Sequence, residues 1–503
     1  MIKNENFSVA KPLRNSELET HFSQFKNKII GEQTTFQSIN GEQKLIYADW
    51  IASGRLYEPI EKVMCEKIGP MVANTHSFSS ETGKASTYAY KHARAIVKQH
   101  VNANENDVLV TTGTGMTGAL CRLQRIMGLR WPDEVKSKID LPEEERPVVF
   151  ITHMEHHSNQ ISWMETIADV VILPANEQML VSPEILESEI QKYANRSLKI
   201  GAFTACSNVT GIITPYQELA KIMHQYGGYC FIDFAASAPY VAIDMHPIND
   251  EERLDAIFFS PHKFLGGPGT CGILVFNKEL YKNTCPDNPG GGNVKWTNPW
   301  GEYQYFDDIE TKEDGGTPGF LQVMRTALSI RLKEQMQTSK IEEREKELVS
   351  YCFDALSKIP NVYILGDTTS KRIGCVSFGI KNVHYNLIVR LLNDHFGIQT
   401  RGGWSCASTY SHYLFGLNQD ASKEVINQLK EKDLTNKPGW VRLSLHPVLT
   451  LKELEFICDA IKQVAENYVQ WQKAYTYNKT TNEFEIKGGD HAIMQTVESW
   501  FKL

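Results

Sequence analysis

Residues 231–272 read FIDFAASAPYVAIDMHPINDEERLDAIFFSPHKFLGGPGTCG. The apolar run Tyr229 to Ile232 ends on Asp233, and a second run, Ala256 to Phe259, ends on Ser260-Pro261-His262-Lys263 and a glycine-rich turn. Two apolar runs of strand length, each closing on polar residues, predict neighbouring buried strands with chemistry at their ends. A carboxylate and a lysine then meet at the carboxyl edge of one sheet, where open α/β sheets bind ligands.

That pairing has a chemical use. A lysine amine holds an aldehyde cofactor as a Schiff base. Pyridoxal 5'-phosphate also needs an acidic partner for its ring nitrogen, because a protonated ring withdraws electrons more strongly. Asp233 and Lys263 suit these two roles. The local pattern is equally met by an exposed lysine in a glycine turn and a helix-capping aspartate.

Outward from this stretch, strand candidates alternate with helical patterns up to residue 277, as in a sheet flanked by helices. Val108 to Thr112 runs into TTGTGMTGAL, a strand-to-helix junction rich in glycine and threonine. Free N–H groups at such a helix start favour an anion. Gly113, Thr114 and Gly115 could cradle a phosphate there, or form an ordinary tight turn. Val148 to Thr152 ends on His153-Met-Glu-His-His157. This order lacks the i, i+4 histidine pair with a glutamate base that zinc hydrolases use. No metal site is expected. A flat imidazole from His156 stacked on a pyridine ring fits better, with a capping or core histidine as the alternative. Lys199 to Thr204 leads to a turn with Asn208 near its tip.

The chain has 503 residues, which exceeds one compact core and predicts two domains with extensions. Hydrophobic residues at 42% and charged ones at 22% place it among soluble globular proteins. A net charge of −8 argues against general nucleic-acid binding. No apolar run is long enough for a membrane span, and the first residues lack a signal-peptide core. The ten scattered cysteines form no CxxC pair and fit reduced thiols in a cytoplasm.

The expected division is an N-terminal arm over 1–44, a large domain over 45–330, a smaller α/β domain over 331–469 and an appendage over 470–503, with packing of the N-terminal part of the chain against the smaller domain as an alternative. Within the large domain, 131–146 reads as a surface insertion. Residues 283–312 read as part of a long irregular segment, which at that length is either functional or disordered.

Taken together, YADWIASGR, TGTGMTGAL, HMEHHSNQISW, SNVTG, IDFAASAP, SPHKFLGGPGTCG, DGGTPG, RGGWSCAS and VRLSLHPVLT follow one family's order. The chain resembles the class V aminotransferases, in the subgroup of cysteine desulfurases and selenocysteine lyases, from about Leu45 to Val464. The resemblance implies an aspartate-aminotransferase-type architecture (fold type I), with a mainly parallel seven-stranded sheet and a smaller C-terminal α/β domain. It implies pyridoxal 5'-phosphate and a cytoplasmic homodimer with sites at the subunit interface. Lys263 would be the Schiff-base lysine, Asp233 the ring-nitrogen partner, His156 the stacking ring and Asn208 a contact beside the 3-hydroxyl. Thr114, Ser260 and His262 would hold the phosphate, and Thr317 would reach the phosphate of the neighbouring subunit's site.

In the desulfurases that the chain resembles, a loop cysteine takes sulfur from the substrate and passes it on. Cys406, in Arg401-Gly-Gly-Trp-Ser-Cys406, occupies that position. Its glycines suit a mobile loop and Arg401 an electropositive one. A small buried filler is the alternative for a free cysteine. Arg442 is the candidate clamp for a substrate carboxylate, through two parallel bonds, with Arg401 a second contact. The implied partners are an amino-acid substrate and a sulfur-acceptor protein. Transamination, epimerisation or β-elimination on the same cofactor are the rival activities. One departure stands out: the desulfurases carry Gln or His three residues after the aspartate, and this chain has Ala236.

Overall fold

The two apolar runs of the 231–272 stretch are adjacent parallel strands. They belong to a seven-stranded sheet built from β1 (Asp107–Thr112), β2 (Val148–Thr152), β3 (Asp169–Leu173), β4 (Lys199–Thr204), β5 (Tyr229–Asp233), β6 (Ala256–Phe259) and β7 (Gly272–Asn277). The computed structural model describes residues 16–113, 115–487 and 492–502. The spatial order is β1-β7-β6-β5-β4-β2-β3, and only β7 runs antiparallel to its neighbours.

Burial explains the unbroken apolar runs. Every residue of β2, VVFIT, is buried, as expected of a strand covered on both faces. Phe150, Ile232 and Phe259 point into one core; Val149, Phe231 and Phe258 point into the other. Each such side chain contributes about 1.5–3 kcal/mol on leaving water.

Helices cover both faces. After α1 (Ser16–Lys26), α2 (Glu81–His100) and α5 (Phe320–Met336) pack together over the first core. Between them in the chain, α3 (Met116–Ile126) and α4 (His157–Met164) cover the second. Helix α6 (Thr338–Ser357) follows α5 after Gln337, which has φ 64° and breaks the helical run.

A second sheet holds β8 (Val362–Ile364), β9 (Cys375–Ile380), β10 (Arg401–Gly403) and β11 (Trp440–Ser444), antiparallel throughout in the order β8-β9-β11-β10. Helices α6, α7 (Tyr385–Phe396) and α8 (Leu451–Trp471) share a core with it. Among the described residues no helix is long and apolar enough to cross a membrane.

The arm holds a helix: α1 buries Leu18, Phe22 and Phe25, spaced at a helical period, against Leu332, Met336 and Ile341. Residues 46–47 pair in parallel with 398–399, so the N-terminal part of the chain packs with the smaller sheet and its helices, the alternative that the sequence left open. The expected appendage is partly core. Its hairpin, Tyr475–Asn478 with Glu483–Ile486, adds Tyr475, Phe484 and Ile486 to the core that includes α7 and α8. The residues 131–146 form two short helical turns with no buried residue. The segment 283–312 contains a small hairpin, Val294–Thr297 with Tyr303–Tyr305.

Candidate active site

The carboxyl ends of β1, β4, β5 and β6 open into a cavity of about 540 Å³, within the range that small-molecule sites occupy. Its lining combines Gly113, Gly115, His156, Asn208, Asp233, Ser260, His262 and Lys263 with Arg401, Cys406 and Arg442. The structure thus brings together nearly every residue the sequence singled out. Thr114 lies outside the described residues. Thr317 is exposed and absent from this lining, so its expected role is not one it fills from its own chain.

Asp233 ends β5 and is 4% exposed. Its Oδ1 accepts from the Ala235 N–H at 2.7 Å. Burial pushes its carboxyl up to about 6, against the pull of that N–H and of Lys263. Lys263 closes the short turn Pro261–Lys263 that follows β6. Enclosure by protein pulls its amine down to about 8, while Asp233 pulls the other way. A lysine so lowered is a better nucleophile at neutral pH.

The turn is held from outside. The Gly54 N–H donates to the His262 carbonyl at 2.9 Å. A Cβ on Gly54 would lie 1.9 Å from the Phe264 carbonyl oxygen, so only glycine permits this approach.

His156 is the N-cap of α4, and its Nδ1 accepts from the Ser158 N–H at 3.1 Å. Burial, then Lys263, lowers it to about 4. The ring is therefore neutral with its proton on Nε2, suited to stacking on another ring. The other histidines of HMEHH point elsewhere: His153 packs on Tyr410 and Tyr413, and His157 Nε2 bonds Ser408 Oγ at 2.7 Å.

Ser260 Oγ accepts from the Met116 N–H, the first residue of α3, at 2.8 Å. That leaves the hydroxyl proton to be given to an anion. Gly113 has φ 48° and open space where a Cβ would stand. Asn208 Nδ2 donates to the Ser405 carbonyl at 2.7 Å, while its Oδ1 is buried without a partner among the described residues. An anion cradle at one end, an acid under the middle, a neutral ring, an unsatisfied amide oxygen and an enclosed amine together fit a phosphorylated pyridine aldehyde.

Cys406 is exposed on the same cavity. Ser405 and Cys406 both adopt positive φ, 49° and 56°, a conformation that costs non-glycine residues energy unless neighbours enforce it. The neighbours are on hand. The Cys406 carbonyl accepts from the His157 N–H at 2.8 Å, and Trp440 Nε1 donates to Ser405 Oγ at 3.3 Å. The sequence predicts a mobile loop here; in the structure hydrogen bonds link it to Asn208, His157 and Trp440.

Arg442 is 3% exposed. Its Nη1 donates to the Asn208 carbonyl at 3.1 Å and its Nη2 to Asp49 Oδ1 at 2.7 Å. Its Nε is buried with no partner among the described residues.

The family pattern for Aminotransferase class-V matches residues 46–457. The chain belongs to the class-V aminotransferases. Among its relatives are proteins described as probable cysteine desulfurases. That of Staphylococcus aureus (strain COL) is 27% identical over 411 residues, 78% of this chain and 93% of the relative. That of Halalkalibacterium halodurans is 28% identical over 382 residues, 75% and 87% of the two chains. Solved structures share the fold. The apo cysteine desulfurase from Thermococcus onnurineus NA1 aligns with a TM-score of 0.71 at 22% identity, covering 90% of this chain and 99% of that one. The cysteine desulfurase CsdA from Escherichia coli aligns at 0.67 and 22%, covering 88% and 98%.

Two residues of this class-V aminotransferase escaped assignment from sequence. Asp49 sits inside the quoted YADWIASGR, yet nothing local says that it faces arginines hundreds of residues away. Glu155, in HMEHH, is fully buried and accepts from Thr152 N and Oγ1, Asn159 Nδ2 and Thr204 N. It ties β2, β4 and α4 together beneath His156. Its carboxyl is pushed up to about 7, mainly by burial.

Proposed function

We propose that this chain is a pyridoxal-phosphate-dependent enzyme that removes sulfur from L-cysteine, leaving alanine and a persulfide on Cys406. The carrying observation is the placement of Cys406 on the cavity that also holds the Lys263–Asp233 pair. The names of its relatives support the same reading.

When bound, pyridoxal phosphate supplies an electron sink for a carbanion at the substrate's α carbon. The chain's own residues do the rest. Lys263 Nζ would tether the cofactor and, when free, would be the base for the substrate's α proton. Asp233 would be the acidic partner of the ring nitrogen. Gly113, Thr114, Gly115, Ser260 and His262 would hold the phosphate, His156 would stack on the ring and Asn208 would contact its 3-hydroxyl side. Arg442 orients the substrate carboxylate. The Cys406 thiolate attacks the substrate sulfur: the S–S bond forms as the Cβ–S bond breaks, and the carbon's electron pair takes a proton to become the methyl group of alanine. A thiol of a sulfur-acceptor protein then exchanges with the persulfide. The protein acts as a homodimer in the cytoplasm, with Thr317 reaching the partner's site.

One observation favours a second reading. Ala236 lines the cavity and offers no polar contact where the desulfurases carry Gln or His. Transamination, epimerisation or β-elimination needs no cysteine nucleophile, and Cys406 would then be idle. Cys406→Ser separates the two. The first reading expects visible cofactor absorbance retained and sulfide and alanine formation lost. Unchanged sulfide release, or a keto acid as the product, removes Cys406 from the mechanism.

A further inference from the structure

Asp49 grips both candidate carboxylate clamps at once. Its Oδ1 accepts from Arg442 Nη2 at 2.7 Å and its Oδ2 from Arg401 Nε at 2.9 Å. The two arginines line the cavity, yet they differ in freedom. The Arg442 side chain is 4% exposed and that of Arg401 54%. Asp49 itself is fixed by its flanks: the Ala48 N–H donates to the Gln399 carbonyl, and the Ala48 carbonyl accepts from the Ser444 N–H.

A guanidinium carries five N–H donors. Arg442 spends one on Asp49 and one on the Asn208 carbonyl, and its buried Nε has none to spend itself on. It can take a substrate carboxylate without leaving Asp49. Arg401 is different. It is held at the rim by its Nε, and half of its charge is already answered by the shared carboxylate. Two cations and one anion leave a single net positive charge at this end of the cavity, which matches the single carboxylate of a neutral amino acid.

We propose that Asp49 is the specificity-determining residue of this site. By holding Arg401 and cancelling one positive charge, it favours amino acids with one carboxylate over those whose side chain carries a second anion. The inference rests on the amino-acid-binding reading above, but not on the fate of the sulfur.

The test is a spectral titration of the holoenzyme with L-alanine and L-aspartate, taking the ratio of their apparent Kd values. Asp49→Asn leaves two net positive charges, so binding shifts toward aspartate relative to alanine, on the order of tenfold for one charge at close range. Arg401→Gln, at a half-exposed side chain, moves the ratio the opposite way and remains informative if Asp49→Asn does not fold. The double variant returns near the starting ratio. A ratio unmoved in either single variant, or equal weakening of both ligands, overturns the proposal; so does a shift that persists in the double variant. Sulfide release from L-cysteine is followed in parallel. Its absence with the expected ratios counts against the desulfurase reading alone.

Discussion

Asp233 is the residue whose chemistry and stability oppose each other. Its carboxyl is buried, and its pKa is raised to about 6. Between the ordinary aspartate value and about 6, the folded chain keeps a proton that the unfolded chain has released. Stability therefore falls as pH rises through that window and stays level above it. Asp233→Asn removes this cost and retains an oxygen for the Ala235 N–H. Denaturant unfolding of the cofactor-free protein should show the variant more stable by about 1–3 kcal/mol at pH 7.5. The difference should vanish below about pH 4. Activity should be lost in the same variant. Lys263 shows the same tension with the opposite sign, since burial lowers an amine.

At the scale of elements, the deciding unit is the segment from β10 into the loop bearing Cys406. Its backbone is strained at two consecutive residues and held from three directions, by Asn208, His157 and Trp440. His157→Ala removes the Nε2 contacts to Ser408 N at 3.0 Å and Oγ at 2.7 Å. Amide hydrogen exchange at residues 405–408 should then speed up on the order of tenfold, the factor that about 1.4 kcal/mol represents. The cofactor's absorbance should stay unchanged, since His157 is outside the cavity lining. Exchange at the original rate would show that Asn208 and Trp440 suffice. The strands of the large sheet were legible as apolar runs because both faces are buried. The loop's ties were not, because each links residues distant in sequence. Helix α1 carries its apolar period openly, in Leu18, Phe22 and Phe25, yet its polar composition reads as an arm. The hairpin 475–486 hides its three core-facing aromatics and aliphatics among polar residues for the same reason.

At the scale of the molecule, the cavity of one chain collects eleven of the expected site residues but not Thr317. If Thr317 serves the other subunit, mixed dimers of Lys263→Ala and Thr317→Ala chains hold one complete site: the intact lysine of one chain faces the intact threonine of the other. Equal mixing should restore activity that neither variant alone supports. No recovery would place Thr317 outside the site. Sequence order made Lys263, Asp233 and Cys406 legible as a set. It could not reveal Asp49 as the joint between Arg401 and Arg442, because that joint exists only once residues 48–49 have docked beside Gln399 and Ser444, hundreds of residues away in the chain.

The segment 47–54 has a consequence for the chain's birth. Its ties reach Gln399, Arg401, Arg442 and the His262 carbonyl, with separations of 352 and 393 residues for the two Asp49 ion pairs. A nascent polypeptide still on the ribosome can close the large sheet early, yet the pocket stays unfinished until the last strand of the second sheet emerges. Everything through Trp440–Ser444 must be synthesised before the vitamin-derived cofactor meets a completed binding place.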